Sequence, residues 1–345
     1  MRTLYITKGG QEMASSRHRV YNVLESLSKK GFDCNTLRYS ITNRRIVKYP
    51  INALQLTRIL KTTPTSKITT IQKVLPNKKC FSIIRSLADK LIYDLDDAIY
   101  INPQWRNQDR KYRRNRLRWM LPRVDCVTVG SPGLADVAKK YAENVHIVHP
   151  ALKQDNFVNI DCVKTDKLVV GWIGMGHSLW YLDKIESALT NVLNTYEDTE
   201  LWILTNTDVA NRPLESRIGR DVRYLQWSKS REKKCLSAFD ISIRPQTYDE
   251  FTRLKGGFVS VLSAMASRTP VIVTPVGMLD DIVDHGVSGF HAEDKSDWVT
   301  YLKTLVENED RRSSMGSEAY SCLSTKGFWS HQVSSKLVSI YEDII

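Results

Sequence analysis

A lysine and two glycines, Lys255-Gly256-Gly257, precede a helical run, and Arg244 and Arg253 stand a short way upstream. A point charge beside unpaired amides at a helix N-terminus is chemistry suited to a diphosphate. The same residues also describe a solvated turn. A second glycine loop, Gly174-Met175-Gly176-His177-Ser178, follows the apolar run Leu168–Ile173. It lacks the third glycine of a dinucleotide fingerprint, and the next strand ends in Thr205-Asn206 rather than an acid for a ribose, which argues against a dehydrogenase. Such a loop can bring amides to a phosphate or be a ligand-free tight turn. Carboxylates gather at Asp94, Asp96 and Asp97, directly after the apolar run Lys90–Tyr93.

The elements that must position these groups repeat. Leu4–Ile6 reads as a strand, Gly9-Gly10 as a loop, and Val20, Val23, Leu24 and Leu27 as one helix face. The plan recurs with Leu168–Ile173, the Gly174 loop, and Leu182, Ile185, Leu189 and Val192 as a helix face. Parallel strands need crossover helices, so two such openings predict two α/β domains of Rossmann type. Further strands are expected at Lys67–Ile71, Lys90–Tyr93, Cys126–Val129 and His146–Val148, then at Trp202–Leu204, Phe239–Ile243 and Val271–Thr274. The boundaries are 1–155 and 166–345, with the polar stretch Lys153–Asp166 as linker and the last helix free to pack back on the first domain. Ligands of open α/β sheets bind beyond the carboxyl ends of the strands, which directs the Asp94–Asp97 and Gly130–Gly133 loops to a cleft.

Composition sets the frame. The chain has 345 residues, 42% hydrophobic and 26% charged, values of a soluble globular protein rather than a disordered or disulfide-stapled one. Six cysteines lie far apart, with no Cys-x-x-Cys pair and no histidine at metal-ligand spacing, and are read as reduced thiols. No apolar run is long enough for a membrane helix or a secretory leader, so the chain is expected to begin here and to work in the cytoplasm. The net charge of +12 is uneven: residues 1–155 hold 29 Lys and Arg against 12 Asp and Glu. Such a surface attracts phospholipid headgroups, lipid phosphates or nucleic acid, or is merely solvated. Trp105, Tyr112 and Trp119 recur every seven residues among arginines. As a helix this segment would lie on an anionic membrane surface, or dock its aromatics on its own domain.

The order Phe239-Asp240-Ile-Ser-Ile-Arg-Pro, Lys255-Gly-Gly-Phe258, Leu262-Ser263-Ala-Met-Ala, Thr269-Pro-Val-Ile-Val-Thr-Pro-Val-Gly277 and Gly286-Val-Ser-Gly289-Phe resembles the group 1, or family 4, retaining glycosyltransferases. Ala14-Ser15-Ser16-Arg17-His-Arg19, Tyr93-Asp94-Leu-Asp96-Asp97-Ala and Val127-Thr-Val-Gly130-Ser131-Pro-Gly133-Leu are similar to segments of polysaccharide-assembling members. The resemblance implies an α/β GT-B fold, two facing Rossmann-like domains with parallel sheets and an interdomain cleft. It implies a nucleotide-diphosphate-sugar donor of unspecified base, a glycan or lipid-linked glycan acceptor, and hexosyltransferase-like chemistry without a metal or other cofactor. The site would be peripheral on the inner membrane face.

Under that resemblance, Gly174, His177, Ser178, Arg244, Arg253, Lys255, Gly256, Gly257, Phe258 and Ser263 are donor residues. Asp94, Asp96 or Asp97 orients or deprotonates the acceptor hydroxyl, or caps a helix and pairs with an arginine. Gly9, Gly10, Arg17 and Arg19 hold the acceptor, or the two arginines pair with those aspartates. The family's Glu-x7-Glu pair falls on Lys255 and Ser263, so both carboxylates are missing. That substitution also fits two alternatives: an inactive glycosyltransferase-like binding protein for anionic partners, and transfer onto nucleic acid. Arg268 stands where a helix-ending glycine is common.

Overall fold

The computed structural model describes residues 1–39, 49–101, 110–158, 165–206, 214, 218–220 and 222–345. The chain divides into two units. Unit 1 comprises Met1–Leu152, Leu254–Gly257 and Phe328–Ile345, and unit 2 comprises Lys153–Arg253 and Phe258–Gly327.

Unit 1 is built on six parallel strands: β1 (Arg2–Thr7), β2 (Asp33–Arg38), β3 (Ile68–Gln72), β4 (Lys90–Leu95), β5 (Cys126–Val129) and β6 (Val145–Ile147), in the spatial order β2-β1-β3-β4-β5-β6. The central strands are buried nearly throughout, as expected of a parallel sheet covered on both faces, although β3 carries Thr69, Thr70 and Gln72 among its five residues. Strand β2 lacked that signal. It is an edge strand buried chiefly at Leu37, and its alternation is largely polar. The chain runs from β1 out to β2 and then returns to β3 on the other side of β1, so the order of strands reverses between β1 and β3.

The first helix is broken into pieces. A short turn at Ala14–Ser16 passes into a π-helical turn, Arg17–Tyr21, and then into Leu24–Ser28. The wider turn buries Arg17, His18, Arg19 and Val20 in succession. The C-terminal helix, Ser330–Ile344, completes the same core with Val333, Leu337, Ile340, Tyr341 and Ile344 against Tyr5, Val20, Val23 and Leu27. The Tyr341 and Tyr5 hydroxyls share a buried hydrogen bond of 2.6 Å.

The basic aromatic segment resolves in part. Trp105 lies outside the described residues. Lys111–Met120 is a helix that buries Leu117 and Met120, and Trp119 meets Phe81 edge-on at 5.4 Å. Those residues dock on their own unit, whereas Tyr112 is 58% exposed. Among the described residues no helix is long and apolar enough to cross a membrane.

Unit 2 carries β7 (Leu168–Gly174), β8 (Thr199–Thr205), β9 (Val222–Gln226), β10 (Ile241–Arg244), β11 (Val271–Val273) and β12 (Gly289–His291), all parallel, in the order β12-β11-β10-β7-β8-β9. This is the doubly wound arrangement, and its order reverses between β7 and β10. The edge strands β9 and β12 gave no period in the sequence, being short or half-exposed. Trp172, Leu182, Leu189, Val192, Ile203 and Trp298 belong to one apolar core.

The helix Val259–Ala266 explains Arg268. The Thr269 amide donates to the Ala264 carbonyl and the Arg268 amide to that of Met265, the paired bonds of a Schellman cap. Arg268 occupies the left-handed position of that cap, φ +59°, where glycine has no steric cost. Its guanidinium sits over the Tyr320 ring at 4.3 Å. The helix Glu309–Thr325 crosses the cap at Gly316, where a Cβ would lie 1.9 Å from the Arg268 carbonyl oxygen. Gly316→Ala is therefore expected to destabilise the protein by about 2 kcal/mol, despite alanine's better helix propensity. A urea unfolding midpoint at or above that of the wild type would contradict this contact.

Candidate active site

Arg244 ends β10, beside β7 at the reversal of strand order in unit 2. Ligands of such sheets bind outside the carboxyl ends of the strands at this point. The side chain is 6% exposed and donates from Nη1 to the Ile173 carbonyl at 2.8 Å, while Nε has no hydrogen-bond partner. Among the described residues no carboxylate pairs with it, and the Trp172 ring lies 5.9 Å from the guanidinium carbon. Burial lowers its pKa to about 10. A desolvated cation without a counter-ion is costly unless a ligand supplies the anion.

The neighbouring loop is more committed than its sequence suggested. The Gly176 amide donates to the Asn206 side chain at 3.0 Å and the Ser178 amide to the Met175 carbonyl at 2.7 Å. Neither is free for a phosphate, which corrects that part of the expectation for Gly174–Ser178. The loop opens into a ten-residue 3₁₀ segment, Gly176–Ile185, before the α-helix Glu186–Thr195, so no α-helical N-terminus faces it. His177 is exposed, Ser178 buried, and Gly174 leaves room for the Trp172 ring. Arg253 is exposed at the end of a short helix, while Phe258 and Ser263 are buried at the start of and within Val259–Ala266.

Lys255, Gly256 and Gly257 fall in unit 1. The Gly256 amide donates to the Asp96 carbonyl at 3.0 Å, so it is not an open phosphate donor as the sequence implied. A Cβ there would lie 2.6 Å from the Gly130 backbone, and Ser131 Oγ donates to the Leu254 carbonyl at 3.1 Å. This close backbone crossing requires the glycine. Gly257 has open space around it, and Lys255 is half-buried.

The three aspartates of unit 1 part company. Asp94 accepts from Arg19 Nε at 3.1 Å, from Arg19 Nη2, and from Thr128 Oγ1 at 2.6 Å, all buried. Arg19 also donates to the Val148 carbonyl, and with Asp94 it forms a buried ion pair. Of the alternatives open for Arg19, the structure has the pairing with Asp94. Arg17 is buried and donates to the Gln11 carbonyl at 3.3 Å. The Gly9 amide is bonded to Ser16 Oγ, whereas Gly10 borders open space.

Asp96 and Asp97 share a residue that the sequence reading missed. Lys73 Nζ lies 3.1 Å from Asp96 Oδ1 and 2.5 Å from Asp97 Oδ2. Ser15 Oγ donates to Asp96 Oδ2 at 2.5 Å and accepts from Gln72 at 2.9 Å. Burial works to raise the Asp96 pKa, but Lys73, the Ser15 hydrogen bond and Arg19 outweigh it and hold the carboxyl below its usual range. Lys73 has φ +56°, a left-handed conformation a lysine rarely adopts. The signal for it was its place one residue beyond a strand; its conformation was invisible.

Asp96 adds stability that is present above the ordinary carboxyl pKa, about 3.9, and lost as pH falls through its lower folded value. Lys73→Ala is expected to raise the Asp96 pKa, visible as an upward shift in its carboxyl 13C titration. An unmoved titration would show that Lys73 does not control this group.

Residues 168–308 match the family model Glycosyl transferases group 1. That match takes in most of the second unit and about two fifths of the chain. The chain is also 30% identical over 191 residues to a D-inositol 3-phosphate glycosyltransferase from Corynebacterium kroppenstedtii, an alignment covering 51% of this chain and 41% of that protein. The match therefore spans about two fifths of the relative's length. Among solved structures, the Anabaena protein HepE in complex with UDP and glucose is similar with a TM-score of 0.70 at 13% identity, over 99% of this chain and all of that one. A glycosyltransferase from Rickettsia africae gives 0.72 at 13% identity, over 99% and 98%. A sucrose-phosphate synthase from Thermosynechococcus elongatus gives 0.70 at 12% identity, also over 99% and 98%. With two parallel six-stranded sheets, the chain has the α/β class and GT-B type of fold that its sequence resembles.

Burial pushes the thiols of Cys126 and Cys235 up to about 12 and 11, away from nucleophilic chemistry. Among the described residues no group of three His, Cys, Asp or Glu is arranged to hold a metal ion. His18 bonds the Ala151 carbonyl at 3.0 Å, and the His149 ring lies tilted against Phe328 at 4.6 Å.

Proposed function

We propose that this chain is a retaining glycosyltransferase that moves a sugar, a hexose, from a nucleotide-diphosphate donor to a glycan or lipid-linked glycan. The observation that carries the proposal is Arg244, a buried guanidinium with no counter-ion among the described residues, at the strand-order reversal of the unit that matches the group 1 model. A departing diphosphate is the anion it lacks. Its charge develops as the glycosidic bond breaks, so a preorganised cation there stabilises the transition state more than the ground state.

In this reading the second unit binds the donor and the first the acceptor. The leaving diphosphate accepts the hydroxyl proton on the face from which it departs, which keeps the anomeric configuration. Asp96, fixed by Lys73 and Ser15, orients the acceptor hydroxyl. Arg244, rather than a metal, balances the diphosphate, and the base stays open. Complexes of HepE with UDP and with UDP-glucose support a uridine donor. The acceptor belongs to polysaccharide assembly at the cytoplasmic membrane face, which the excess of basic residues in 1–155 favours.

The test is the anomeric proton coupling of the product formed from a nucleotide α-sugar and a lipid-linked oligosaccharide fraction, with and without EDTA. An α-linked product at the same rate in both samples is expected. A β-linked product overturns retention, and loss of rate with EDTA overturns metal independence. A folded protein that forms no product with any donor is the inactive binding protein that the loss of both glutamates also fits.

A further inference from the structure

Strand β4 ends at Leu95, so Asp96 is the first residue beyond the sheet, and it is buried. A buried carbonyl past the end of a ladder needs another partner. The carbonyls of Asp94, Leu95, Asp96 and Asp97 accept in turn from the amides of Lys73 at 2.8 Å, Gly130 at 3.0 Å, Gly256 at 3.0 Å and Ile99 at 2.7 Å. Lys73 and Gly130 directly follow β3 and β5, the two strands paired with β4, and continue their ladders. Gly256 comes from elsewhere in the chain. It belongs to Leu254–Gly257, a segment that lies in unit 1 although the residues on either side of it, Arg253 and Phe258, lie in unit 2.

Two contacts keep this segment in place. Ser131 Oγ donates to the Leu254 carbonyl at 3.1 Å, and both residues are buried. Gly256 and Gly130 meet backbone to backbone: a Cβ on Gly256 would lie 2.6 Å from Gly130 Cα, and one on Gly130 would lie 2.8 Å from the Gly256 carbonyl oxygen. A side chain on Gly256 therefore forces the two backbones apart by about 1 Å before ordinary contact is regained. A shift of that size breaks a hydrogen bond of 3.0 Å. Gly257, the next residue, meets nothing within 4 Å at its Cβ position. The Asp96 side chain is held separately, by Lys73 at 3.1 Å and by Ser15 at 2.5 Å. Backbone and carboxylate are thus both anchored, as a group that must meet a substrate hydroxyl to within about 0.5 Å requires.

We propose that Gly256 is a positioning residue for glycosyl transfer: its amide holds the Asp96 carbonyl, and through it the carboxylate that orients the acceptor hydroxyl, rather than the donor's diphosphate. Gly130 and Ser131 act through it, the first by leaving room for the crossing and the second by clasping Leu254. The inference rests on the glycosyl-transfer reading and on the part given there to Asp96.

The experiment compares the full-length wild type with Gly256→Ala, Ser131→Ala and Gly257→Ala in three measurements: the Asp96 carboxyl 13C titration, calorimetric binding of UDP and GDP, and kcat and donor KM for transfer from a nucleotide sugar to a lipid-linked oligosaccharide fraction. Gly256→Ala is expected to move the Asp96 titration upward, as the carboxylate leaves Lys73, and to leave nucleoside-diphosphate affinity unchanged. It should lower kcat about a hundredfold with donor KM unchanged, the cost of a misplacement of about 1 Å. Ser131→Ala removes the clasp on Leu254 without adding bulk and should give the same signs, so it decides the matter if Gly256→Ala does not fold. Gly257→Ala should leave the Asp96 titration as in the wild type. An unmoved titration in folded Gly256→Ala and Ser131→Ala overturns the proposal. A loss of nucleoside-diphosphate affinity in either variant also overturns it, and returns the Gly256 amide to the donor. A folded wild type that binds no nucleoside diphosphate overturns the glycosyl-transfer reading, and this role with it. An unmoved titration beside wild-type nucleotide binding overturns the role of Gly256 alone.

Discussion

Replacing Arg244 by Met is expected to leave the ligand-free protein as stable as the wild type or more so, and to weaken nucleoside-diphosphate binding about thirtyfold or more. Both effects come from the same uncompensated charge. Burial lowers the Arg244 pKa from the ordinary guanidinium value to about 10, equivalent to about 3 kcal/mol against the charged form in the folded state. A cation whose folded pKa is depressed destabilises the fold at every pH below that value, and the cost fades only as pH rises toward the ordinary guanidinium value. Methionine fills much of the volume without the charge, so this cost disappears while packing beside Trp172 is kept. Ligand binding shows the opposite sign. The diphosphate loses a desolvated charge-assisted contact of about 2 kcal/mol or more. Urea unfolding and calorimetry on one preparation check both halves. A large loss of stability would mean that the arginine is a structural strut.

Asp94→Ala is expected to destabilise unit 1 by about 3–5 kcal/mol, enough to threaten folding of a marginally stable protein. The carboxylate neutralises Arg19, and both side chains are buried. Its removal strands the guanidinium and leaves the Thr128 hydroxyl without its acceptor. Arg19→Met combined with Asp94→Ala should recover much of the loss, because no buried charge remains without its partner. Single and double variants compared by chemical denaturation give the coupling directly. An Asp94→Ala protein as stable as wild type would return this residue to the candidates for direct chemistry. Asp96 differs in its partners: Asp94 is held by an arginine and a hydroxyl, and Asp96 by a lysine and a hydroxyl.

The sequence carried the parts of the fold that depend on burial on both sides. Lys90–Leu95 is legible because a central parallel strand buried on both faces is mostly apolar, and Ile68–Gln72 because its Ile and Thr residues are β-branched. Asp33–Arg38 is not, because an edge strand with mostly polar residues has no such period. Site residues were legible by type and place, but not by partnership. Arg244 at a strand end was visible as a cation; that it is buried without a counter-ion depends on β7 beside it. Arg19 and Asp94 are 75 positions apart, and only the π-helical turn after β1 brings them together. The Gly256 amide looked free because nothing in Lys255-Gly-Gly reveals that the Asp96 carbonyl takes it. Lys73 and Arg268 were harder still. Each holds a left-handed backbone conformation normally left to glycine, and residue type gives no hint of it.

The account turns on whether Arg244 awaits a nucleotide's diphosphate. The direct measurement is isothermal calorimetry of UDP, GDP, ADP, dTDP and CMP against the purified chain and against Arg244→Met. One diphosphate binding the wild type, with affinity lost in the variant, is the predicted result and names the base of the donor. Binding of the same nucleotide with equal affinity to Arg244→Met, or no binding by a demonstrably folded wild type, would contradict it.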